Sequence, residues 1–150
     1  MAGYSGTPLP QKLGIKEGSR VALVEPPTGF DLGTLPVGAV MQRGVAGKGK
    51  APPPLDVIVV FVKKRADLEA QLDACRPRLT QDGGLWIAWP KKSSGVATDI
   101  VEDTIREVAL PTGLVDNKVC AIDDTWSGLR LVIRKELRTP APKPKPKRRG

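Results

Sequence analysis

The chain has 150 residues, enough to bury a hydrophobic core in one domain without a disulfide or a metal ion. Its formal net charge is +8. Six of the basic residues lie at the end of the chain: Arg138, Lys143, Lys145, Lys147, Arg148 and Arg149. Without these six the net charge is about +2, so we expect sequence-independent attraction to nucleic acid to come mainly from this tail.

The sequence contains no histidine. This excludes Ser-His-Asp and Cys-His catalysis and any histidine-based metal site, and we expect no metal. Cys75 and Cys120 are far apart, and each replaces an apolar residue in its pattern, which favours two reduced, buried thiols over a disulfide. Residues 1–10 lack a charged segment followed by an apolar one, and no stretch is long enough to span a bilayer. We therefore expect a cytoplasmic protein without a membrane partner.

The first third of the chain has the weaker secondary-structure pattern. A short leading helix is predicted over residues 7–13, and the apolar run at residues 20–24 predicts the first strand. A weakly helical segment is predicted at residues 30–35, followed by a second strand at residues 37–42. Residues 44–54 are rich in Gly, Lys and Pro, which is typical of an exposed, flexible loop.

The middle of the chain alternates strands with amphipathic helices. Residues 55–62 are β-branched and almost continuously apolar, which is typical of a central parallel strand buried on both faces. Apolar residues at helical spacing predict a helix over residues 65–79, and residues 84–89 predict the next strand. A second helix is predicted over residues 98–110, with Gly113 as its C-cap. The buried face of that helix is expected to carry Val101, Ile105 and Val108.

Two final strands are predicted at residues 118–122 and 129–133, joined by a turn short enough for an antiparallel hairpin. Strands alternating with helices predict a parallel sheet with right-handed crossovers. The expected fold class is α/β: a Rossmann-like, mostly parallel sheet closed by an antiparallel C-terminal hairpin, with helices on both faces. Residues 1–137 are expected to form this single domain, and residues 138–150 a disordered, basic, Pro/Lys-rich tail.

Three parts of the sequence carry a family resemblance. They are YSGTPL with KLGI (residues 4–9 and 12–15), WPKKSSG (residues 89–95), and DNKVCAID with WSGL (residues 116–123 and 126–129). These stretches resemble a small bacterial family of unknown function, the domain-of-unknown-function family 3052. The order of elements over residues 56–133 is also similar to the second half of class I S-adenosylmethionine-dependent methyltransferases. The resemblances imply a methyltransferase-like fold and no particular reaction.

A methyltransferase of this fold needs a glycine-rich turn after its first strand and an acidic residue ending its second strand, where the cofactor ribose binds. The turn at residues 25–29 contains one glycine and two prolines, which lack N–H donors. The second strand is expected to end near Gln42 and Arg43, with no acid. We therefore expect no cofactor, in a fold that keeps the sheet without the cofactor site.

Residues 44–50 nearly match a phosphate-binding P-loop, because they contain Gly, four residues and then Gly-Lys. The next residue, Ala51, has no hydroxyl to bind magnesium. Three prolines at residues 52–54 stand where a helix N-terminus would stabilise phosphate. A solvated loop is the better interpretation.

In a doubly wound sheet, ligands bind beyond the carboxyl ends of the parallel strands. This rim comprises residues 25–29, Lys63, residues 89–95 and residues 123–127. Residues 91–94 lead from a strand into a predicted helix N-terminus with two cations and two hydroxyls, a combination able to hold a small anionic ligand. The candidate ligand-binding residues on the rim are Trp89, Lys91, Lys92, Ser93, Ser94, Asp123 and Trp126.

A structural interpretation of the same residues stays open. Trp89 would pack on a helix, the two lysines would be solvated, and Ser94 or Thr98 would cap the helix. Asp123 and Asp124 would form a turn. Trp126 would be either an apolar plug beside Trp89 or one wall of a pocket with Trp89 opposite.

Three functional hypotheses follow, and none assigns a catalytic residue. The first is a non-catalytic or regulatory Rossmann-like module that binds a small anionic ligand at the rim. The second is a nucleic-acid-associated protein that acts non-specifically through its basic tail. The third is a divergent S-adenosylmethionine-dependent, methyltransferase-like enzyme.

Overall fold

The apolar runs of the sequence become the strands of one sheet. Within residues 7–47 and 52–138, which the computed structural model describes, the strands are β1 (Arg20–Val24), β2 (Val40–Arg43), β3 (Leu55–Phe61), β4 (Leu79–Pro90), β5 (Leu114–Ala121) and β6 (Trp126–Ile133). Their order is β2-β1-β3-β4-β6-β5. The first four in this order are parallel, and β6 runs antiparallel to both of its neighbours. The predicted α/β class is confirmed.

Helices and irregular segments cover the two faces of the sheet. The helices are α1 (Leu9–Lys12), α2 (Arg65–Cys75) and α3 (Glu102–Ala109). α2 and α3 pack on one face, where Leu72 and Ile105 join the core. The other face is covered by α1, the residues after it and a buried leucine, Leu32. Both faces of β3 from Val57, and of β4 from Gly83, are therefore buried, as the apolar sequence of β3 predicts for that strand. Among the described helices, none combines the length and hydropathy needed to cross a bilayer.

The predicted helix at residues 30–35 is wrong. This segment has no regular secondary structure. The Asp31 carboxylate accepts a hydrogen bond from the Gly33 N–H (2.8 Å), and Gly33 has a positive φ of 92°. A side-chain bond of this kind competes with helical hydrogen bonding, so the chain turns instead of coiling.

Other elements form with shifted ends. α2 ends at Cys75, because a short 3₁₀ turn with Pro77 follows, and Leu79 begins β4 instead of ending the helix. α3 begins at Glu102 and not at residue 98. The Thr98 hydroxyl donates to the carbonyl of Lys63 (2.6 Å) and so holds a loop there. In consequence, Val101 is 53% exposed and does not join the buried face of α3.

Trp86 ties the N-terminal segment to the centre of the sheet. Its indole is fully buried in β4, and its Nε1 donates a hydrogen bond to the carbonyl of Leu13 at 3.0 Å. This is a contact between residues 73 positions apart. The segment after α1 therefore closes one face of the sheet by a directional bond as well as by apolar packing.

We predict that Trp86→Phe lowers the free energy of unfolding by about 1–3 kcal/mol, because it leaves the buried carbonyl of Leu13 without a donor. Urea denaturation of the variant and the unaltered chain measures the loss. Trp89→Phe is the matched control, since Trp89 lies in the same strand and, among the described residues, its indole donates no hydrogen bond of the kind that Trp86 makes. Equal losses in the two variants would contradict the role of the hydrogen bond.

Candidate functional site

A cavity of about 470 Å³ opens at the carboxyl ends of β1 and β3. We call it the rim cavity. Its lining comes from the turn after β1, the end of β3, the start of α2 and the start of β6, and includes Glu25, Phe61, Lys63, Lys64, Asp67 and Trp126. A cavity therefore lies at the rim where the sequence predicts a ligand site, and ligand binding there stays a prediction.

Aromatic rings form the floor of the rim cavity. The rings of Phe61 and Trp126 meet edge to face with centroids 5.1 Å apart, and Phe30 meets Phe61 in the same way at 4.9 Å. Phe61 is 5% exposed and Trp126 is 6% exposed, so the cluster belongs to the core and shows little surface beyond the cavity. A floor of this kind favours a flat, apolar group in a ligand.

Glu25 has a strained backbone at the edge of the rim cavity. Its φ is 56°, and within the described residues it is the one non-glycine residue with a positive φ. It directly follows β1 and precedes Pro26, which restricts its backbone further. A left-handed conformation costs a non-glycine residue about 1–2 kcal/mol. Such strain persists where the surroundings impose it, commonly at ligand-binding turns.

Four charged side chains surround the aromatic floor, two of each sign. Glu25, Lys63, Lys64 and Asp67 are exposed, and none of them forms an ion pair with another described residue. The backbone at Lys63 is held in place, because its carbonyl accepts hydrogen bonds from the loop before α3. These charges are free to meet a ligand.

The structure places the predicted loop of Lys91, Lys92, Ser93 and Ser94 outside the rim cavity. The Ser94 hydroxyl donates to the Lys91 carbonyl at 2.7 Å and accepts from the Val96 N–H at 3.1 Å, so it is occupied within the loop. The loop does not lead directly into a helix N-terminus. α3 begins eight residues after Ser94 and carries two acidic residues in its first turn. Anion binding by this loop stays a prediction.

Trp89 and Trp126 are not neighbours in one pocket. Trp89 packs in the core on the face of α2 and α3, whereas Trp126 packs on the opposite face. Trp126 lines the rim cavity, with Phe61 beside it. The Asp123 carboxylate accepts hydrogen bonds from the N–H groups of Thr125 and Trp126, both at 2.8 Å. Asp123 therefore forms the turn that positions Trp126.

Sequence reasoning missed Phe61, Lys64 and Asp67 as site residues. Each lies within four residues of Lys63, which was placed on the rim. Phe61 ends the most strongly patterned strand, where it was assigned to the core. The signal that could have found these residues is the rule that the strand end and the first turn of the following helix share one rim.

The described residues do not fit S-adenosylmethionine in the way that a methyltransferase fold requires. Pro26 and Pro27 supply no N–H donors beside β1, and Glu25 has a side chain where glycine is needed. At the end of β2, the Gln42 amide donates to the carbonyls of Gly44 and Ala46 at 2.9 and 2.8 Å. No carboxylate ends that strand.

Two further sets of predicted residues lie partly outside the residues that the structure describes. Positions 48–51 of the P-loop-like stretch lie outside the described residues, as does the tail beyond Arg138, with Lys143, Lys145, Lys147, Arg148 and Arg149. Within residues 7–47 and 52–138, no cluster of side chains suited to bind a metal forms.

The fold is that of S-adenosylmethionine-dependent methyltransferases. The chain is similar to one from Aquifex aeolicus, with a TM-score of 0.56 and 15% identity over 82% of this chain and 86% of that one. It is also similar to the Methanococcus jannaschii fibrillarin pre-rRNA processing protein, with a TM-score of 0.58 and 13% identity over 79% and 68% of the two chains. Aeropyrum pernix fibrillarin, in complex with S-adenosyl-L-methionine, gives a TM-score of 0.52 and 12% identity over 87% and 70%. Identities this low define the fold alone.

Within this class of fold, the chain belongs to a family of proteins of unknown function, DUF3052, whose model matches residues 51–135. The resemblance noted in the sequence is thereby confirmed. No curated protein matched the sequence.

We predict that Glu25→Gly unfolds with a free energy about 1 kcal/mol higher than Glu25→Ala. Both variants lose the carboxylate, but only glycine accepts the left-handed backbone without a steric penalty. Thermal and urea unfolding of the pair measure the difference. Equal stability would show that the backbone at residue 25 is not strained.

The two cysteines are free thiols. Burial raises the pKa of the Cys75 thiol to about 12. Burial also raises the pKa of Cys120, although the charges of Lys12 and Lys118 partly oppose this. Neither thiol is set up as a nucleophile, because nucleophilic cysteines have lowered pKa values.

We predict that Cys75 makes the fold less stable as the pH rises from about 9 towards 12. In that window the unfolded chain ionises its thiol and the folded chain does not, so the free energy of unfolding falls by up to about 1.4 kcal/mol per pH unit. Urea unfolding of the unaltered chain and of Cys75→Val between pH 8 and 11 isolates this contribution. Parallel pH profiles would contradict it.

Proposed function

We propose that this domain is a non-catalytic binding module that takes a small, ring-bearing anionic ligand, of the nucleotide class, into the rim cavity. The observation that carries the proposal is the joint placement of a buried aromatic floor and unpaired charges at the carboxyl end of the sheet. Ligands of Rossmann-like folds bind at this end. The proposal also places the protein in the cytoplasm, which fits its free thiols.

Each part of a nucleotide has a counterpart in the cavity. The base would lie against the rings of Phe61 and Trp126, which are apolar and fixed by their mutual contact. Glu25 and Asp67 accept hydrogen bonds, as the hydroxyls of a sugar require. Lys63, at the end of the same strand, and its neighbour Lys64 carry the positive charge that a phosphate group needs.

A divergent methyltransferase is the competing function. Its support is the fold, which the solved Aquifex aeolicus methyltransferase and the two fibrillarins share at 12–15% identity. The turn at Glu25, Pro26 and Pro27 weighs against it, since it supplies neither the glycines nor the N–H donors for the cofactor. Binding without methyl transfer is therefore the better account.

The test is a thermal-shift measurement on the full chain with adenosine, adenosine monophosphate and S-adenosylhomocysteine. All three contain adenosine, and only adenosine monophosphate carries a phosphate. We expect adenosine monophosphate to raise the melting temperature most, because its phosphate can meet Lys63 and Lys64. A ligand at a hundred times its dissociation constant stabilises by about 2.7 kcal/mol, which such a measurement detects. The double variant Lys63→Gln/Lys64→Gln should reduce its effect to that of adenosine.

The matched control is Lys91→Gln/Lys92→Gln, which removes the same charge from the neighbouring loop and should keep the full response. If this control loses the rise in melting temperature with adenosine monophosphate, the anion site lies in the loop of Lys91 and Lys92 instead. A larger shift with S-adenosylhomocysteine than with adenosine monophosphate would favour the methyltransferase, and no shift with any of the three would contradict the proposal.

A further inference from the structure

A second cavity, of about 500 Å³, opens at the opposite end of the sheet. We call it the amino-end cavity, because it lies beside the starts of β1, β3 and β4. Four cationic and three acidic side chains line it. Two of its cations, Lys16 and Lys118, are exposed, and one of its acids, Asp56, accepts a hydrogen bond from the Arg20 N–H at 2.8 Å. The cavity is therefore weakly positive and open to solvent.

Arg130 is the unusual member of this cavity. It is partly buried in β6, and its guanidinium has a neutral partner, the Asn117 amide oxygen at 3.3 Å. No described carboxylate lies within ion-pair distance of it. Burial lowers the pKa of Arg130, the like charge of Arg138 lowers it further, and Asp82 opposes both. A partly desolvated cation without an ion pair is stabilised by an added anion.

Arg138 connects this end of the sheet to the basic tail. Its Nε donates to the carbonyl of Ile133 at 2.9 Å, which fixes the side chain beside the end of β6. It is also the last described residue. The twelve residues after it carry five cations and no acidic residue. The most basic segment of the sequence thus follows directly on Arg138, whose charge acts on Arg130.

The charge distribution favours an extended polyanion over a single small anion. Within the cavity, acidic side chains offset most of the positive charge, so an isolated phosphate gains little there. Arg138 adds a positive charge beside the end of β6, and the sequence that follows it adds five more cations. Repeated phosphates can meet several such charges at once, and each contact adds affinity through the release of counterions. Since no aromatic side chain lines the amino-end cavity, base stacking is not offered.

We propose that Lys16, Lys118, Arg130 and Arg138 form a surface that binds the phosphodiester backbone of nucleic acid, independently of sequence and together with the tail. Binding then belongs to the folded domain as well as to the tail. The surface lies at the end of the sheet opposite the rim cavity, so this binding is independent of the proposed ligand.

The test is fluorescence anisotropy of a labelled oligothymidylate of about 20 nucleotides with the full chain, at several salt concentrations. We expect Lys118→Gln, Arg138→Gln and Arg130→Gln each to weaken binding several-fold and to reduce the salt slope by about 0.7, the loss of one phosphate contact. Lys118→Gln keeps the test valid if the partly buried Arg130 variant fails to fold. Arg43→Gln, an equal charge change at the exposed carboxyl end of β2, should bind as the unaltered chain does.

A full-length variant with the five tail cations replaced by Gln separates the domain from the tail. We expect this variant to bind more weakly than the unaltered chain, and we expect Lys118→Gln, added to it, to weaken binding further. The proposal is overturned if the tail acts alone. In that case the tail variant does not bind at all, and Lys118→Gln and Arg138→Gln, made in the chain with its natural tail, bind as tightly as the unaltered chain. It is also overturned if millimolar inorganic phosphate displaces the oligonucleotide at constant ionic strength, since the site would then be one for a small anion.

Discussion

The burial of β3 and β4 on both faces is the constraint on which the rest of the molecule depends. Ile58 and Val59, adjacent in β3, point to opposite faces and are both fully buried. A polar group placed there without a partner would cost about 1–3 kcal/mol. The centre of the sheet therefore holds no unpaired polar side chain at these positions, and the two cavities described above lie at the ends of the strands.

The two ends differ because the strands are parallel. At the carboxyl end, the chain leaves β1 through the strained turn at Glu25 and leaves β3 through Lys63 and Lys64, and the aromatic contact of Phe61 with Trp126 closes the floor between them. At the amino end, Arg130 projects from the antiparallel strand β6 among exposed lysines. One sheet thus presents a ring-lined cavity at one end and a weakly basic one at the other.

Local sequence pattern was sufficient for much of the fold. β1 was predicted at its observed limits, and β3 to within one residue, because their apolar runs end abruptly at polar residues or proline. The start of α3 was misplaced because Thr98 looked like a helix cap, whereas its hydroxyl bonds the Lys63 carbonyl 35 residues away. A partner so distant in sequence leaves no local signal. For the same reason, the sequence could not show that Trp89 and Trp126 lie on opposite faces of the sheet, because the face that each side chain takes depends on strand register.

The central claim is that a ligand with an aromatic ring binds in the rim cavity, where Trp126 forms part of the floor. Trp89 lies on the opposite face of the sheet. The three tryptophans give three indole N–H signals in a two-dimensional ¹H–¹⁵N NMR spectrum, which report on three different places in the fold. Titration of the full chain with adenosine monophosphate should move the Trp126 signal. The signal of Trp86, whose indole is bonded to Leu13, and that of Trp89 should stay in place. Movement of the Trp89 signal instead, or of none of the three, would contradict the account.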